Sequence, residues 1–162
     1  MKPLSIFSLA TISILGMATL LSCQESLFYT EYKTIPNSQW DSRDTLSFLL
    51  PVADGALDAT LTISVRKRHD YDYKNIALNV GHLLNDSLVS TDTLHVTLYD
   101  ANGQSLGQGF PVSDNYSRPL PIHLGKGERH TLRITHTMRL NPLDGITDVG
   151  IFVDSASQSR YK

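Results

Sequence analysis

Apolar and polar positions alternate with a period of two along most of this chain, and no long stretch keeps the 3.6-residue period of an amphipathic helix. The clearest run puts Leu61, Ile63 and Val65 on one side and Thr60, Thr62 and Ser64 on the other, which predicts a strand with one wet face. Ile76, Leu78 and Val80 repeat the pattern, as do Leu94, Val96 and Leu98, Leu132 and Ile134, and Val149, Ile151 and Val153. Leu27 to Lys33 alternates weakly before Pro36 and Asn37 break it, and Thr45 to Leu50 reads as a short buried strand ended by Pro51 and Asp54-Gly55. Leu120, Ile122 and Leu124 alternate despite Pro119 and Pro121, the mark of an edge strand or a bulge. Asn102-Gly103 reads as a hairpin turn, and Gly125-Lys126-Gly127 as another turn. Seven or eight short strands between turn residues predict an all-β fold, an antiparallel β-sandwich of possible jelly-roll type.

The N-terminus follows a different pattern. Met1 and Lys2 precede an apolar run from Leu4 to Leu21, and Leu20-Leu21-Ser22-Cys23 has the form of a lipobox around the only cysteine of the chain. Ser5, Ser8, Thr11, Ser13, Gly16 and Thr19 interrupt the roughly 20 apolar residues that a membrane span requires. The expected organisation is a cleaved lipoprotein signal peptide over 1–22, a lipid anchor and short tether over 23–27, one β-sandwich domain over 28–154, and a mobile polar tail over 155–162. Cys23 is the predicted lipidation site and the membrane the predicted first partner. A lone cysteine forms no internal disulfide, so the fold stands on its core.

Charge adds little. Of 14 Lys and Arg, Lys2 leaves with the signal, and 13 then face 16 Asp and Glu. The near balance, with no basic stripe, excludes nucleic acid as a partner. His69, His82, His95, His123, His130 and His136 are scattered without a compact ligand spacing, so no metal and no cofactor are expected; His95 and His130 read as solvent-facing strand residues. Asp100 to Ser105 opens like a calcium loop, but the twelfth position is Pro111 rather than Glu. No G-x-S-x-G stretch places a nucleophile, and the chain reads as a non-enzyme with no catalytic residues.

Three groups are candidates for recognition. Trp40, Tyr71, Tyr73 and Tyr116 form a candidate glycan or partner surface, their alternative being core or corner positions. Arg66-Lys67-Arg68-His69 is either a solvated strand end or a contact for lipid headgroups. Met138, Arg139, Leu140 and Asp144 form a candidate protein interface, Arg beside exposed Met and Leu being the composition of an interface centre. The structural alternative pairs Arg139 with Asp144 or Asp148. The composite expectation is a lipid-anchored assembly or scaffold protein; the other reading is a glycan-binding module of the cell envelope.

Several segments resemble one family, the gliding-motility lipoproteins called GldH, found in the Bacteroidetes. These are the lipobox ending at Cys23, the region Trp40 to Phe48, and Arg66 leading to Tyr71-Asp72-Tyr73-Lys74-Asn75-Ile76. Asp92-Thr93-Leu94, Gly103 through Gly109, His136-Thr137-Met138-Arg139, and Leu143-Asp144-Gly145-Ile146-Thr147-Asp148-Val149-Gly150 complete the set. Asp72 departs from the pattern, which favours Pro between the two tyrosines. The resemblance implies an outer-membrane lipoprotein, on the periplasmic face, whose partners are other envelope motility or secretion proteins. It transfers no catalytic residue.

Overall fold

The computed structural model describes residues 29–155. The signal segment, Cys23 with its tether, and the tail beyond Ser155 lie outside the described residues. Ser155 itself, expected to open the tail, is a buried strand residue opposite Ala59.

Eleven strands run in order: β1 (Tyr29–Thr34), β2 (Gln39–Trp40), β3 (Leu46–Leu49), β4 (Leu57–Arg68), β5 (Asn75–Leu84), β6 (Ser87–Thr97), β7 (Val112–Tyr116), β8 (Leu120–Leu124), β9 (His130–His136), β10 (Leu143–Asp144) and β11 (Ile146–Ser155). One sheet has the order β1-β11-β4-β7, with β8 pairing β4 beside Leu57–Leu61 while β7 takes Ser64–Arg68. The other has the order β3-β9-β5-β6, and β10 pairs β2 separately. All ladder pairings are antiparallel. With β7 and β8 counted as one interrupted strand, the pairs β1 with β11, β3 with β9, β4 with β7/β8, and β5 with β6 are nested. That is a long hairpin rolled into a two-sheet jelly roll.

The core is the apolar register read from the alternation. Leu61, Ile63, Val65, Ile76, Leu78, Val80, Leu94, Val96, Leu132, Ile134, Val149, Ile151 and Val153 all fill the space between the sheets, none more than 3% exposed. Pro121 is tolerated because β8 has β4 as its sole ladder partner among the described strands.

Two expectations differ from the structure, and the hairpin turn expected at Asn102-Gly103 is formed. Thr62 and Ser64 are buried rather than wet, because Tyr32, Tyr116, Phe152 and Arg66 from the same sheet roof the outer face of β4 and β11. Asn102-Gly103 does make a turn: Gly103 adopts φ +81° and donates its N–H to the Asp100 carbonyl at 3.2 Å, while Asp100 Oδ1 accepts from the N–H of Asn102 and Gln104 at 2.8 Å each. The turn closes a short hairpin, with Tyr99 and Ser105 bridged antiparallel and Leu106 donating its N–H to the Leu98 carbonyl at 3.0 Å, after which the chain crosses to β7 in the other sheet. His130 is buried, because its alternation partners on β9, Leu132 and Ile134, face inward with it.

The strand directions give the sandwich two ends. The base gathers the turns 50–56, 85–86 and 125–129 with the last residue of β11, and β1 starts on this side, level with Leu61 of β4. The crown gathers 35–45, 69–74, 98–111 and 137–145.

Candidate functional site

The crown is built outward from Arg68, the last residue of β4. Its guanidinium holds Asp70 (Nε to Oδ1, 2.9 Å) and Asp144 (Nη2 to Oδ2, 2.8 Å), clamping the 69–74 loop to β10. The hydrogen bond from Arg68 holds the Asp70 carboxyl below its usual pKa. Tyr71 turns inward, is 4% exposed, and packs edge-on to Tyr73 with centroids 5.6 Å apart. Burial, then the neighbouring Tyr73 and Tyr99, raise the Tyr71 phenol above its ordinary pKa, so it stays a protonated donor to the Asn75 carbonyl at 3.2 Å. Gly145, at φ +94°, lies beneath this ring: a Cβ there would stand 3.1 Å from Tyr71 Cδ2. Tyr99 donates its hydroxyl to the carbonyls of Tyr71 at 3.0 Å and His69 at 3.2 Å, tying the 98–111 loop to the 69–74 loop.

Two hollows of about 460 Å³ each flank the ridge formed by His69 and Asp70. One is floored by Tyr71, Tyr73 and Tyr99 and rimmed by Asp72 and Lys74. The other is apolar, walled by Phe110, Pro111 and Val112. Phe110 is 85% exposed, with its ring edge-on to His69 at 6.3 Å.

The segment after β9 completes the crown. Met138 is half-buried, its sulfur accepting the Ala77 N–H at 3.4 Å. Arg139 and Leu140 are exposed. Neither partner foreseen for Arg139 takes it: Asp144 is held by Arg68, and Asp148 accepts the Thr34 hydroxyl at 2.8 Å. Arg139 makes no hydrogen bond or ion pair with any described residue. Asn141 Oδ1 accepts the Ser42 N–H at 2.7 Å, fixing the loop that carries Arg139 and Leu140 against the 41–45 segment.

The structure brings Tyr71, Tyr73, Met138, Arg139, Leu140 and Asp144 to one end. It does not assemble the four-aromatic surface. Trp40 is 1% exposed, donates Nε1–H to the Asp44 carbonyl at 2.9 Å and meets the His136 ring at 5.2 Å. An apolar face of β2 covered by β10 and β11 makes it a core residue. Tyr116 lies instead on the outer face of the β1-β11-β4-β7 sheet, edge-on to Phe152 at 5.7 Å.

A cluster missed in the sequence centres on that face. The Arg66 guanidinium stacks 3.8 Å from the Tyr32 centroid and its Nε donates to Asp114 at 2.6 Å, while the Tyr32 ring lies over Gly150. Its members come from four strands, so only the register unites them. The basic run is likewise dispersed: Arg66 points outward, Arg68 clamps the crown, and Lys67 is wholly buried with Nζ 4.0 Å from the Tyr99 centroid. It lies at the crown and offers no headgroup patch. Among the described residues no three of His, Cys, Asp and Glu gather as a metal-ligand set.

Two relatives match most of the chain. The gliding motility lipoprotein GldH of Flavobacterium johnsoniae is 25% identical over 153 residues, covering 88% of this chain and 94% of the relative. The GldH homolog of Christiangramia forsetii is 28% identical over 146 residues, covering 83% and 88% respectively. Among solved structures, a family 35 carbohydrate binding module from Clostridium thermocellum aligns with a TM-score of 0.44 and 14% identity over 81% of this chain and 92% of that one, a likeness in outline alone. The family model for the GldH lipoprotein matches residues 27–153, and the chain belongs to that family.

Proposed function

We propose that this protein is a non-enzymatic, lipid-anchored component of the gliding-motility apparatus and its associated secretion machinery, held on the periplasmic face of the outer membrane through Cys23. It acts by docking other envelope proteins on its crown. The observation that carries this is the state of Arg139: an exposed guanidinium without a partner among the described residues, beside exposed Leu140, on a loop pinned by Asn141. Arginine flanked by apolar side chains on a fixed backbone is the composition of an interaction centre. The names of the two relatives support the process, and the position of the crown, opposite the end where β1 begins, supports the direction of docking.

In-cell crosslinking followed by affinity purification tests it. The acylated protein retrieves envelope partners, and Arg139→Ala or Tyr73→Ala weakens the retrieval while leaving the chain folded. Clean recovery of the protein alone after crosslinking refutes the reading.

A further inference from the structure

The described chain starts at a definite place, the basal side of an edge strand, and this limits how the domain can stand. Five residues lie between Cys23 and Tyr29, six steps of chain, and an extended chain spans at most about 3.3–3.6 Å per step, about 20–22 Å in all. Tyr29 is level with Val153 and, across it, with Leu61. From Leu61 down to Leu57, where β4 begins at the base, are four residues, about 13 Å at the rise of a strand. A tether extended toward the base therefore carries Cys23 about 7–9 Å past Leu57, enough to set the base against the bilayer that holds the anchor. From Leu61 up to Arg68 are seven residues, about 23 Å before the crown loops begin. Extended the other way, the same length, about 20–22 Å, stops short of Arg68 and below the crown loops beyond it.

We infer that the basal end is a membrane-contact surface, on which Val52, Leu88 and Val89 enter the interface of the bilayer that holds the acylated cysteine. The inference rests on acylation of Cys23. These three side chains and Leu49 are each more than half exposed, and all belong to the base or the strand residues leading into it.

The basal turns form one plate. Gly127 donates its N–H to the Ala53 carbonyl at 3.1 Å, and Asn85 and Arg129 bond one another, Asn85 N–H to the Arg129 carbonyl at 2.9 Å and Arg129 N–H to Asn85 Oδ1 at 3.2 Å. Side chains of the plate are tied within it: Arg129 pairs with Asp86, His123 Nδ1 lies 2.8 Å from Asp58 Oδ1, and Glu128 accepts the Gly125 N–H at 3.0 Å. Asp54 and Lys126 oppose each other in sign. The base presents aliphatic side chains among two basic residues, Lys126 and Arg129, and four acidic ones, Asp54, Asp58, Asp86 and Glu128, so its contact is apolar insertion rather than attraction to anionic headgroups.

The test uses the full acylated protein in phosphatidylethanolamine–phosphatidylglycerol vesicles with and without brominated acyl chains. Cys23 is the only cysteine, and acylation consumes its thiol, so Val52→Cys, Leu88→Cys, Lys33→Cys and Phe110→Cys each accept a single bimane label. Labels at 52 and 88 are quenched severalfold more strongly than those at 110 and at 33 on the β1 edge. The pattern persists in zwitterionic vesicles and at high salt. Equal quenching at all four sites, or strongest quenching at 33, which marks a domain lying on its β1 edge, overturns the inference. Unmodified protein that takes up the label shows a free Cys23 thiol, and then the anchor fails together with the geometry built on it.

Discussion

Gly150 sits opposite Tyr32 on one side and Ser64 on the other, in the middle of the β1-β11-β4 ladder. A Cβ built on it would stand 2.5 Å from Tyr32 Cδ1 and Cε1 and 2.8 Å from Cζ, inside any real carbon–carbon contact. In Gly150→Ala the ring has to swing off the sheet. Arg66 then loses its stacking partner at 3.8 Å, and the 3.3 Å hydrogen bond from the Tyr32 hydroxyl to Ser64 Oγ is lost. Overpacking of this kind costs about 1–3 kcal/mol, while Gly to Ala at a backbone position that Ala can adopt returns about 0.4–1 kcal/mol through the unfolded chain. The net loss is about 1–2 kcal/mol, a fall in Tm of roughly 3–8 °C for a domain of this size. In a Tyr32→Ala background nothing obstructs the methyl group, and Gly150→Ala becomes stabilising by about 0.4–1 kcal/mol. Urea denaturation of the four proteins yields the coupling, about 1.5–3 kcal/mol, from midpoint shifts at constant slope. An equal effect of Gly150→Ala in both backgrounds refutes the account of this face.

Two further outcomes concern buried polar groups. Lys67 Nζ is buried without a hydrogen-bond partner among the described residues. Lys67→Met keeps the volume, removes a group whose unsatisfied burial costs about 1–3 kcal/mol, and exchanges a cation–π contact worth about 0.5–2 kcal/mol for a sulfur–aromatic one of about 0.3–1.5 kcal/mol. The variant is expected to melt about 3–5 °C higher, and a lower Tm in calorimetry contradicts that reading. Burial, and then the neighbouring His130, lower the pKa of His82, whose Nε2 is 2.9 Å from His130 Nδ1; burial also lowers that of His136 against its bond to the Trp40 carbonyl. With folded pKa values depressed, the unfolded chain binds more protons below about pH 6.5, so this stability is present above that pH and is lost as pH falls. Carboxylates stay ionised down to about pH 5, so a Tm that declines from pH 6.5 to 5, and declines less in His82→Gln, is expected from scanning calorimetry; a flat profile contradicts it.

Long strands with apolar side chains on every second residue were legible from the sequence, because a sheet face buried against another sheet needs that alternation. β7 was not, since its inward residues are Ser113 and Asn115, which fill a polar corner with Asn115 Nδ2 donating to the Ser113 carbonyl at 3.1 Å. The candidate interface of Met138, Arg139, Leu140 and Asp144 was readable as composition, yet the partner of Asp144 was not. Arg68 reaches it across 76 positions of sequence, a pairing that only the β2–β10 contact at the crown creates. Trp40 was ambiguous for the opposite reason: a single large aromatic between turn residues is equally suited to core and surface, and two residues of strand pairing decided it.

The two ends of the sandwich expose apolar side chains in comparable number, so exposure does not distinguish a docking end from an anchoring end. Rigidity does. Base connections are short turns that need little to hold them, whereas the crown carries loops over 98–111 and 137–142 whose ordering in solution is costly. That cost is already met inside the free molecule. Asp100 caps its own turn, the Tyr99 hydroxyl bonds two carbonyls of the adjacent loop, Asn141 fixes the Ser42 amide, and Gly145 lets Tyr71 lie flat against the backbone. A partner that meets Phe110, Arg139 and Leu140 meets backbone that is already fixed, and association loses less entropy than it would on a loose loop. Because Arg68 satisfies Asp144, the charge on the 137–142 loop that is left without an ion-pair partner among the described residues is the Arg139 guanidinium. The same guanidinium clamp that orders the crown thereby selects which residue it offers.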